Sequence, residues 1–566
     1  SFISMNKKDS EFPQSHSCPL IQSAPYIINA AINMEKNGVK LLTPPILFQR
    51  GDKTVEKELI KIGKELGTPS SKIKNAMKAA QEEQDRFANS IKKRGEEVIN
   101  GLTDKACSER SESNRAVVLI SRPYNGCDSG LNLDLPKKLR EMNVIAIPMD
   151  FLPLDTKDIA DKYPDMYWRS GQKMIAAADF ISKNKKLNAI YISNFKCGPD
   201  SFIDYHIREE MGGKPYLQLE IDEHSADAGF ITRCEAFFDS LENTKELEFE
   251  KKGRKGINAF NHKDRIVYLP YMCDHAYSLS ASLRACGINA EVLPESDEKS
   301  LEIGRRYTTG KECLPFIITT GDMIKKTKES GFDSSKIAFF MPTADGPCRF
   351  GQYRSVQRIF LDEMGLADVP IISPDAKDSY GEFGDLRTKF RRLAWRGLAA
   401  TDILQKITHE IRPYEINKGE TDSLYKKCLN MICKAVEMGG DEIFGVMREI
   451  KDLYKGVAVD RKERRPIIGL VGEIYLRSHY FSNQNIIRKI EGLGGEVWLT
   501  PIAEWIFYCT DRYIARGMAE RKYGDVLRGY AQHFIQKQDE HKLLKPFKGV
   551  LSNFEEPSSK EVQEKS

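Results

Sequence analysis

The sequence predicts an α/β protein of several domains, with parallel sheets covered by helices and an added helical segment. The chain has 566 residues, which at roughly 150 residues per domain suggests about three or four domains. Short apolar runs rich in β-branched residues alternate with segments of helical length, as in parallel sheets that are buried on both faces. Hydrophobic residues make up 40% of the chain and charged residues 30%, a composition typical of soluble globular proteins.

The first 115 residues are predicted to form a helical segment. The stretch CPLIQSAPYIINAAINMEKNG is expected to enter a helix through Cys18 and Pro19, because proline is well tolerated at the first helical position. From about Thr54 to Asn100 the pattern is long, charged and helical. We interpret this second stretch as a solvated helical hairpin on the surface.

Four apolar runs predict the strands of an α/β domain at residues 116–250, which contains Cys127, Cys197 and Cys234. They lie in the strings AVVLISRPYNG, VIAIPMDFLPL, LNAIYISNF and YLQLEID. The stretch that follows, KELEFEKKGRKGINAFNHKD, is polar, charged and glycine-containing. Such a composition suits a linker or an exposed excursion.

A second α/β domain is predicted at residues 264–420, with Cys273, Cys313 and Cys348. Its strands lie in RIVYLPYM, NAEVLPE, KIAFFMP and VPIISP. A helical connector is predicted at 421–460, and RPIIGLVGEIY and GGEVWLTP begin a third α/β unit at 465–566. We expect this third unit to be truncated, because only two clear strands precede the polar tail EEPSSKEVQEKS.

Composition and charge exclude several classes of function. The net charge is +4, from 86 basic and 82 acidic side chains, so no global field favours nucleic acid, and no zinc finger or basic-aromatic stripe is present. No apolar stretch reaches the ~18 residues that a membrane span needs. The start, SFISMNKKDS, lacks the apolar core of a signal peptide, so we expect a cytoplasmic protein whose 12 cysteines are reduced thiols.

Several cysteines fall where parallel sheets bind ligands, in the loops beyond the carboxyl ends of strands. Cys127, Cys197, Cys273 and Cys348 each follow a predicted strand. Cys18 and Cys313 stand one or two residues before a proline that can open a helix, and Cys234 lies at a loop-to-helix boundary or slightly inside the helix. Helix N-terminal amides and nearby glycines favour a thiolate, so these are good positions for metal ligands.

The local spacing of the cysteines does not decide whether metal is bound. No two of the favoured cysteines form a C-x-x-C, so the local signatures of zinc ribbons, ferredoxins and thioredoxin-like sites are absent. Iron–sulfur clusters need thiolates close in space and not in sequence, so a cluster built from several loops and a set of scattered loop thiols both remain open. The cysteines in helical patterns are interpreted as small buried hydrophobes; they are Cys286, Cys428, Cys433 and Cys509.

Two further groups of side chains are candidates for binding or catalysis. Glu220, Asp222, Glu223 and His224 follow a predicted strand and could relay protons or bind a metal, or Asp222 or Ser225 could cap the next helix. The second group could meet an anionic ligand or serve as contacts between domains; it consists of Arg122, Tyr124, Arg349 and Tyr353. A phosphate-binding loop of the ATPase kind is absent from the sequence, so any energy input comes from another protein.

With these residues in view, the chain resembles the acyl-CoA dehydratase activase-related proteins, over about residues 18–557. The resemblance concerns the part of those proteins that is similar to 2-hydroxyacyl-CoA dehydratase subunits and double-cubane cluster proteins. It is carried by SRPYNG, MYWRSGQK, ISNFKCGPDSF, GGKPYLQLEIDEHSADAGFITRCEAF, YLPYMCDHAYSL, GKECLPF, GPCRFGQY and VGEIYLR.

The resemblance implies flavodoxin-like or Rossmann-like domains whose loop cysteines hold an iron–sulfur cluster of the 4Fe-4S or double-cubane type. It also implies an ATP-hydrolysing activator protein that supplies low-potential electrons, and a small-molecule or acyl-CoA substrate, in an anaerobe. A homo- or hetero-oligomer is compatible with it, and nucleic acid and membrane are not expected partners. The implied cluster ligands are Cys18, Cys197, Cys313 and Cys348, with Cys234 and Cys273 in a second tier.

Three features depart from the family pattern. Phe316 stands where a further cysteine is expected, so a cluster would have one thiolate fewer or use another residue. Cys127 stands where none is expected. The chain stops before a cysteine-containing segment expected in longer relatives, and no activator module precedes it, which suits either a split-gene subunit or a truncated chain.

Two functions follow as hypotheses. The first is an iron–sulfur protein that takes electrons from the activator and passes them on or uses them on a substrate; as an enzyme it would be an iron–sulfur dependent reductase or an acyl-CoA dehydratase-like lyase component. The second is a non-redox small-molecule-binding or scaffold protein with free or zinc-bound cysteines. A fold hosts many functions, so architecture by itself does not choose between them.

Overall fold

The structure is a computed structural model that describes residues 2–4, 12, 14–102, 115–243, 264–344, 346–373 and 386–552. The chain divides into two compact units. The first comprises Ser1–Gly256 with Ala344–Ile359, and the second comprises Ile257–Thr343 with Phe360–Ser566. The predicted α/β class is confirmed, because the strands pair in parallel and helices connect them.

The N-terminal part of the first unit is mainly helical, as predicted. Pro19 is the first residue of its first helix, and Cys18 is the N-cap with extended backbone angles (φ −67°, ψ 156°). A short parallel strand pair was not predicted, because strands of two or three residues carry no periodic signal. The elements are β1 (Phe2–Ser4), α1 (Pro19–Ile32), β2 (Ile46–Leu47), α2 (Asp52–Glu65) and α3 (Ser70–Gly101).

The first unit also contains a four-stranded sheet built from the four strands that the sequence predicts there. Its order is β4-β3-β5-β6, which is 2-1-3-4 along the chain, a doubly wound order. The two central strands are almost completely buried, which explains their continuous apolar sequences. The elements are β3 (Arg115–Ile120), α4 (Pro123–Cys127), α5 (Leu135–Glu141), β4 (Val144–Pro148), α6 (Lys157–Lys162), α7 (Arg169–Lys183), β5 (Asn188–Asn194), α8 (Asp200–Met211), β6 (Tyr216–Ile221) and α9 (Asp227–Asn243).

The second unit contains a sheet with the same topology. Its order, β10-β9-β7-β8, is again 2-1-3-4 along the chain. Its four strands are those predicted from the apolar runs. The elements are β7 (Ile266–Leu269), α10 (His275–Arg284), β8 (Ala290–Val292), α11 (Glu298–Tyr307), α12 (Leu314–Thr327), β9 (Ile337–Phe340), α13 (Tyr353–Glu363, which spans the division between the units) and β10 (Ile371–Ile372).

Helices and a two-stranded sheet complete the second unit. The predicted connector is helical, and its apolar faces pack with the long helix before it into one core. The two strands predicted for a third α/β unit pair in parallel. The elements are α14 (Arg387–Ile411), α15 (Glu420–Glu437), α16 (Ile443–Lys455), β11 (Ile467–Leu470), α17 (Ile474–Ser478), α18 (Ile486–Gly492), β12 (Glu496–Leu499), α19 (Ile502–Ala519) and α20 (Tyr523–Leu544).

The segment from β11 to β12 repeats the segment from β3 to β4. Each has a five-residue helix, a left-handed N-cap residue and a seven-residue helix. The turn bonds also match, because Asp134 N donates to Ser129 O at 2.9 Å and Asn485 N donates to Tyr480 O at 2.9 Å. The third predicted α/β unit therefore starts with the same local fold as the first one.

Residues 344–359 belong to the first unit although they follow β9 of the second. This segment contains Cys348, which the sequence places with residues 264–420. Its backbone and side chains bond to residues of the first unit, which is the physical reason for the grouping. The predicted linker up to residue 263 and the polar tail lie outside the described residues.

Candidate functional site

The loops after β3 and β5 leave neighbouring strands of the first sheet at the point where its strand order reverses. Ligands of doubly wound sheets bind at this switch point, beyond the carboxyl ends of the strands. The first loop carries Arg122 and Tyr124, and the second carries Cys197 and Gly198. The strand-end prediction for Cys197 therefore corresponds to the ligand-binding edge of this sheet.

A buried ion pair lies beside Cys197. Arg122 Nη2 donates to Asp200 Oδ1 at 2.5 Å, and both side chains are almost fully buried. Burial, and next the Asp200 carboxylate, raise the pKa of the Cys197 thiol to about 12, while the Arg122 guanidinium acts in the opposite direction. The thiol is therefore protonated at neutral pH, and a cation that bound the sulfur would have to displace the proton.

Two buried polar atoms at this edge of the sheet remain available for hydrogen bonds. Asn125 Nδ2 donates to Asn194 Oδ1 at 2.8 Å, which joins the two loops. The buried Asn125 Oδ1 and Arg122 Nε atoms have no hydrogen-bond partner among the described residues. Buried polar atoms are normally satisfied, so such atoms at a switch point are compatible with a polar ligand.

A Tyr-Trp dipeptide holds the segment that carries Cys18. His16 N donates to Tyr167 O at 2.6 Å, and Arg169 N donates to His16 O at 3.1 Å. These bonds form a parallel bridge between His16 and Trp168. Cys18 follows two residues later as the N-cap of α1, and its side chain makes no capping bond.

The same dipeptide holds the segment that carries Cys348. Trp168 Nε1 donates to Pro347 O at 3.1 Å, and the Tyr167 hydroxyl donates to Cys348 O. Cys348 is the N-cap of the 3₁₀ turn Arg349–Gln352, with φ −68° and ψ 136°, and it is exposed. Segments distant in sequence are thus attached to one pair of buried aromatic residues.

The Cys348 segment also reaches the loop of Cys197. A Cβ built on Gly198 would lie 3.5 Å from Arg349 Cδ, so the Arg349 side chain packs closely against this glycine. Tyr353 stacks on Phe202 of α8 at 5.9 Å between ring centroids. The loops of Cys18, Cys197 and Cys348 are therefore linked through neighbouring contacts of the first unit.

The chemistry of these three donors fits a metal–thiolate site, but the donors are not assembled into one. Metal-ligating side chains are those of histidine, cysteine, aspartate and glutamate. Among the residues that the structure describes, no group of three or more of them could hold a metal ion. Cys18 and Cys348 are N-cap residues, and Cys197 follows the end of β5. A cluster bound here would require these loops to adjust or further ligands to join them.

The second-tier candidate Cys234 lies elsewhere in the first unit. It is inside α9, fully buried in the apolar core that covers the sheet. Burial raises the pKa of its thiol to about 11. Cys127 is the last residue of α4 and is exposed. The partial burial of its thiol, and next the Asp150 carboxylate, raise its pKa.

The two remaining candidates, Cys313 and Cys273, belong to the second unit. Cys313 is the N-cap of α12 with Pro315 in its first turn, as the sequence predicts. Phe316, at the position of the expected further cysteine, is fully buried, and its ring centroid lies 6.2 Å from that of Phe360. The aromatic ring at this position thus contributes to the core.

Cys273 precedes a buried imidazole–carboxylate pair. His275 Nε2 lies 2.9 Å from Asp402 Oδ1, and Asp402 also accepts the amides of Ile502 and Ala503 at 3.0 and 2.8 Å. Burial by itself would lower the pKa of His275, but Asp402, assisted by Cys273, raises it to about 10. His275 is therefore an imidazolium at neutral pH.

The acidic group after β6 forms a turn. Ser225 Oγ donates to Asp222 Oδ1 at 3.0 Å, and His224 N donates to the same oxygen at 2.9 Å. The side chains of Glu223 and His224 are more than 80% exposed. The helix α9 begins only at Asp227, so Asp222 and Ser225 stabilise the approach to the helix.

Sequence reasoning did not assign roles to Tyr167, Trp168, Asp200 and Asp402. The first two lie in the string MYWRSGQK, whose paired aromatic residues carry part of the family resemblance. Asp200 follows the Cys-Gly-Pro motif directly, and an acidic residue at a helix start reads as a capping residue from sequence alone. Asp402 lies within a long helix, so no local signal relates it to His275.

Comparison with known protein families gives a match over the N-terminal part of the chain. Residues 1–152 match a protein family described as "CoA enzyme activase uncharacterised domain (DUF2229)". No curated protein and no solved structure matches the chain. A search of the described helices for one long and apolar enough to cross a bilayer finds none. Residues 1–152, which include Cys18 and β3, are thus similar to this family, which confirms over these residues the predicted resemblance to acyl-CoA dehydratase activase-related proteins.

Proposed function

We propose that this protein holds an iron–sulfur cluster and receives low-potential electrons from a separate ATP-dependent activator. It then transfers them or uses them in the reduction or dehydration of a small-molecule or acyl-CoA substrate. The observation that carries the proposal is the attachment of the Cys18 and Cys348 segments to Tyr167 and Trp168. A thiolate-bound cofactor needs cysteine segments from distant parts of the chain to be held near one another, as these contacts do for the buried Cys18 and the exposed Cys348.

The proposed ligands in the first unit are Cys18, Cys197 and Cys348. When bound, a cluster would supply one-electron chemistry. The chain's own residues would hold the loops and compensate charge, since thiolates and sulfides make such a site negative. Arg349, packed on Gly198, is placed to balance that charge, whereas Arg122 already pairs with Asp200.

The match to a CoA enzyme activase domain supports a role beside a CoA-dependent enzyme. Partners proposed on this basis are an ATP-hydrolysing activator and a dehydratase-type enzyme, in the cytoplasm of an anaerobe. Cys313 and Cys273 are proposed as candidate ligands within the second unit. Cys234 is retained as a candidate only if the apolar core around it opens, because it is fully buried there.

The test is anaerobic purification of the full chain, with iron, acid-labile sulfide and zinc measured per chain, together with absorption and reduced-state EPR spectra. Each of Cys18, Cys197 and Cys348 is then replaced by alanine. Cys509→Ala is the matched control, because Cys509 is exposed inside α19, so its interpretation as a buried hydrophobe is wrong. We expect loss of iron and of the cluster spectrum in the three ligand variants and full retention in the control.

The same measurement tests the non-redox alternative. A colourless protein with free thiols or one zinc, even after cluster reconstitution, would refute the iron–sulfur proposal and support a binding or scaffold role. Retention of full iron in Cys348→Ala would remove Cys348 from the ligand set. Equal iron loss in Cys509→Ala would show that the loss reports general instability.

A further inference from the structure

The second unit contains a cavity of about 760 Å³ that none of the proposed cluster ligands line. It lies beyond the carboxyl ends of β7 and β8, where Asp274 and Glu295 follow the two strands. Residues of α10, α14 and α15 and the approach to α18 form its other walls. Its volume is that of a site for a small organic molecule.

The arginines in the wall of this cavity are already neutralised. Each one forms an ion pair with a carboxylate of the same unit, and one pair is bidentate, with N–O distances of 2.8 and 2.7 Å. A guanidinium paired in this way has little free charge to offer an anion. The pairs are Arg284–Glu437, Arg412–Glu491 (the bidentate pair) and Arg488–Asp422.

Three other carboxylates in the wall have no cation. Among the described residues, no basic nitrogen lies within 4.0 Å of Asp274, Glu291 or Glu295, and no carboxylate lies that close to Lys426. Burial, and next the charge of Asp274, raise the pKa of Glu295, while the Lys426 ammonium acts in the opposite direction. Three carboxylates without an ion-pair partner and one ammonium leave an excess of negative charge in the cavity wall.

Phenol groups surround the most buried of these carboxylates. Tyr425 and Tyr480 donate to Asp274 Oδ2 at 2.6 and 2.8 Å, and Tyr271 donates to Oδ1 at 2.8 Å. Tyr425 and Tyr480 also line the cavity, as does Tyr277. Aromatic faces beside carboxylates attract organic cations through the ring quadrupole as well as through charge.

A buried imidazole adds a vacant hydrogen-bond position. His409 lines the same cavity and is 3% exposed, and its Nδ1 has no hydrogen-bond partner in the described part of the chain. Burial, and then Arg412 and Arg488, hold its pKa well below the usual range. A neutral imidazole has one acceptor nitrogen, which suits a ligand with N–H donors.

We propose that this cavity binds a small aliphatic amine in its protonated form, with the ammonium group near Asp274 and Glu295 and against the tyrosine rings. The site uses none of the proposed cluster ligands, and of its residues Asp274 directly follows the candidate ligand Cys273.

The test is isothermal titration calorimetry on the full chain with 1,4-diaminobutane. Adipate, the dicarboxylate of the same chain length between charges, is the charge-inverted probe. The variant is Glu295→Gln, which removes one exposed carboxylate from the cavity wall. Glu298→Gln is the matched control, because Glu298 is exposed at the start of α11 and does not line the cavity.

We expect the diamine to bind, adipate to give no binding, and Glu295→Gln to weaken diamine binding by about tenfold, the effect of one charge-assisted hydrogen bond. Glu298→Gln should bind as the original chain does. Absence of diamine binding would overturn the proposal, as would binding of adipate with equal affinity. Equal binding in Glu295→Gln and the original chain would also overturn it, because the amine would then be held elsewhere.

Discussion

Replacing His275 by glutamine should remove a pH-dependent stabilisation of the second unit. The buried imidazolium pairs with Asp402 at 2.9 Å, and its pKa is raised from the ordinary 6.5 to about 10. A group whose pKa is raised on folding stabilises the folded state fully below its unfolded pKa. That stabilisation decreases as the pH rises and is lost above the folded pKa.

The size of the effect follows from the two pKa values. Each unit of pKa difference corresponds to about 1.4 kcal/mol, so the raised pKa of His275 contributes on the order of 4 kcal/mol at pH 7. Between about pH 7 and pH 10 this contribution should fall by about 1.4 kcal/mol per pH unit. The destabilisation caused by His275→Gln should therefore be large at pH 7 and small near pH 10.

Urea unfolding followed by tryptophan fluorescence is a suitable assay. The chain has four tryptophans, and Trp395, Trp498 and Trp505 lie in the second unit, so the signal reports mainly on that unit. The quantity of interest is the difference in unfolding free energy between the original chain and the variant at each pH. His224→Gln is the control, because this histidine is exposed in the first unit.

A penalty for His275→Gln that stays the same from pH 7 to pH 9.5 would refute the reasoning, since it would show a packing effect without a change in proton binding. Asp402→Asn gives an independent check. Its carboxylate also accepts two amides at the start of α19. Part of its penalty should therefore persist at high pH, whereas the penalty for the histidine variant should almost disappear.

Three further substitutions test other contacts. Trp168→Phe removes the hydrogen bond to the Pro347 carbonyl and should weaken the attachment of the Cys348 loop by ~1–3 kcal/mol. Hydrogen–deuterium exchange should show that the amides of this loop exchange about tenfold faster. Unchanged exchange rates would contradict the role assigned to the indole. Arg122→Met leaves the buried Asp200 carboxylate without its cation and should lower the free energy of unfolding of the first unit in urea by about 3–5 kcal/mol. The same substitution of an exposed arginine should have a negligible effect. A decrease below about 1 kcal/mol for Arg122→Met would contradict this prediction. Gly304→Ala would place a Cβ against the backbone carbonyl of Ile317 and should lower stability by ~1–3 kcal/mol in thermal unfolding; a neutral result would show that α11 and α12 can separate without cost.

Much of the fold follows from local patterns in the sequence. Each of the ten apolar runs predicted as strands forms one, because continuous apolar stretches can be buried on both faces of a parallel sheet. Pro19 predicts the start of α1 because its ring suits the first turn of a helix. The strand-end position of Cys197 likewise follows from the alternation of strand and helix, and the structure places it at the switch point.

Other features depend on contacts between distant residues. The attachment of Cys348 to the first unit depends on Trp168 and Tyr167, almost 180 positions away, and no local pattern relates these segments. The pairing of His275 with Asp402 joins a loop to the middle of a long helix, where periodicity predicts only a buried face. The aliphatic-amine cavity combines side chains from several helices and loops of the second unit.

The sequence by itself determined the fold class, the order of the strands along the chain and the family resemblance of its N-terminal part. These properties depend on residue type and on spacing within one element. Only the tertiary structure decided that the Cys18 and Cys348 segments bond to the same dipeptide, that Cys234 lies in a core, and which carboxylates of the cavity have no basic partner among the described residues. These properties depend on distances between residues that are far apart in sequence, and periodicity contains no information about such distances.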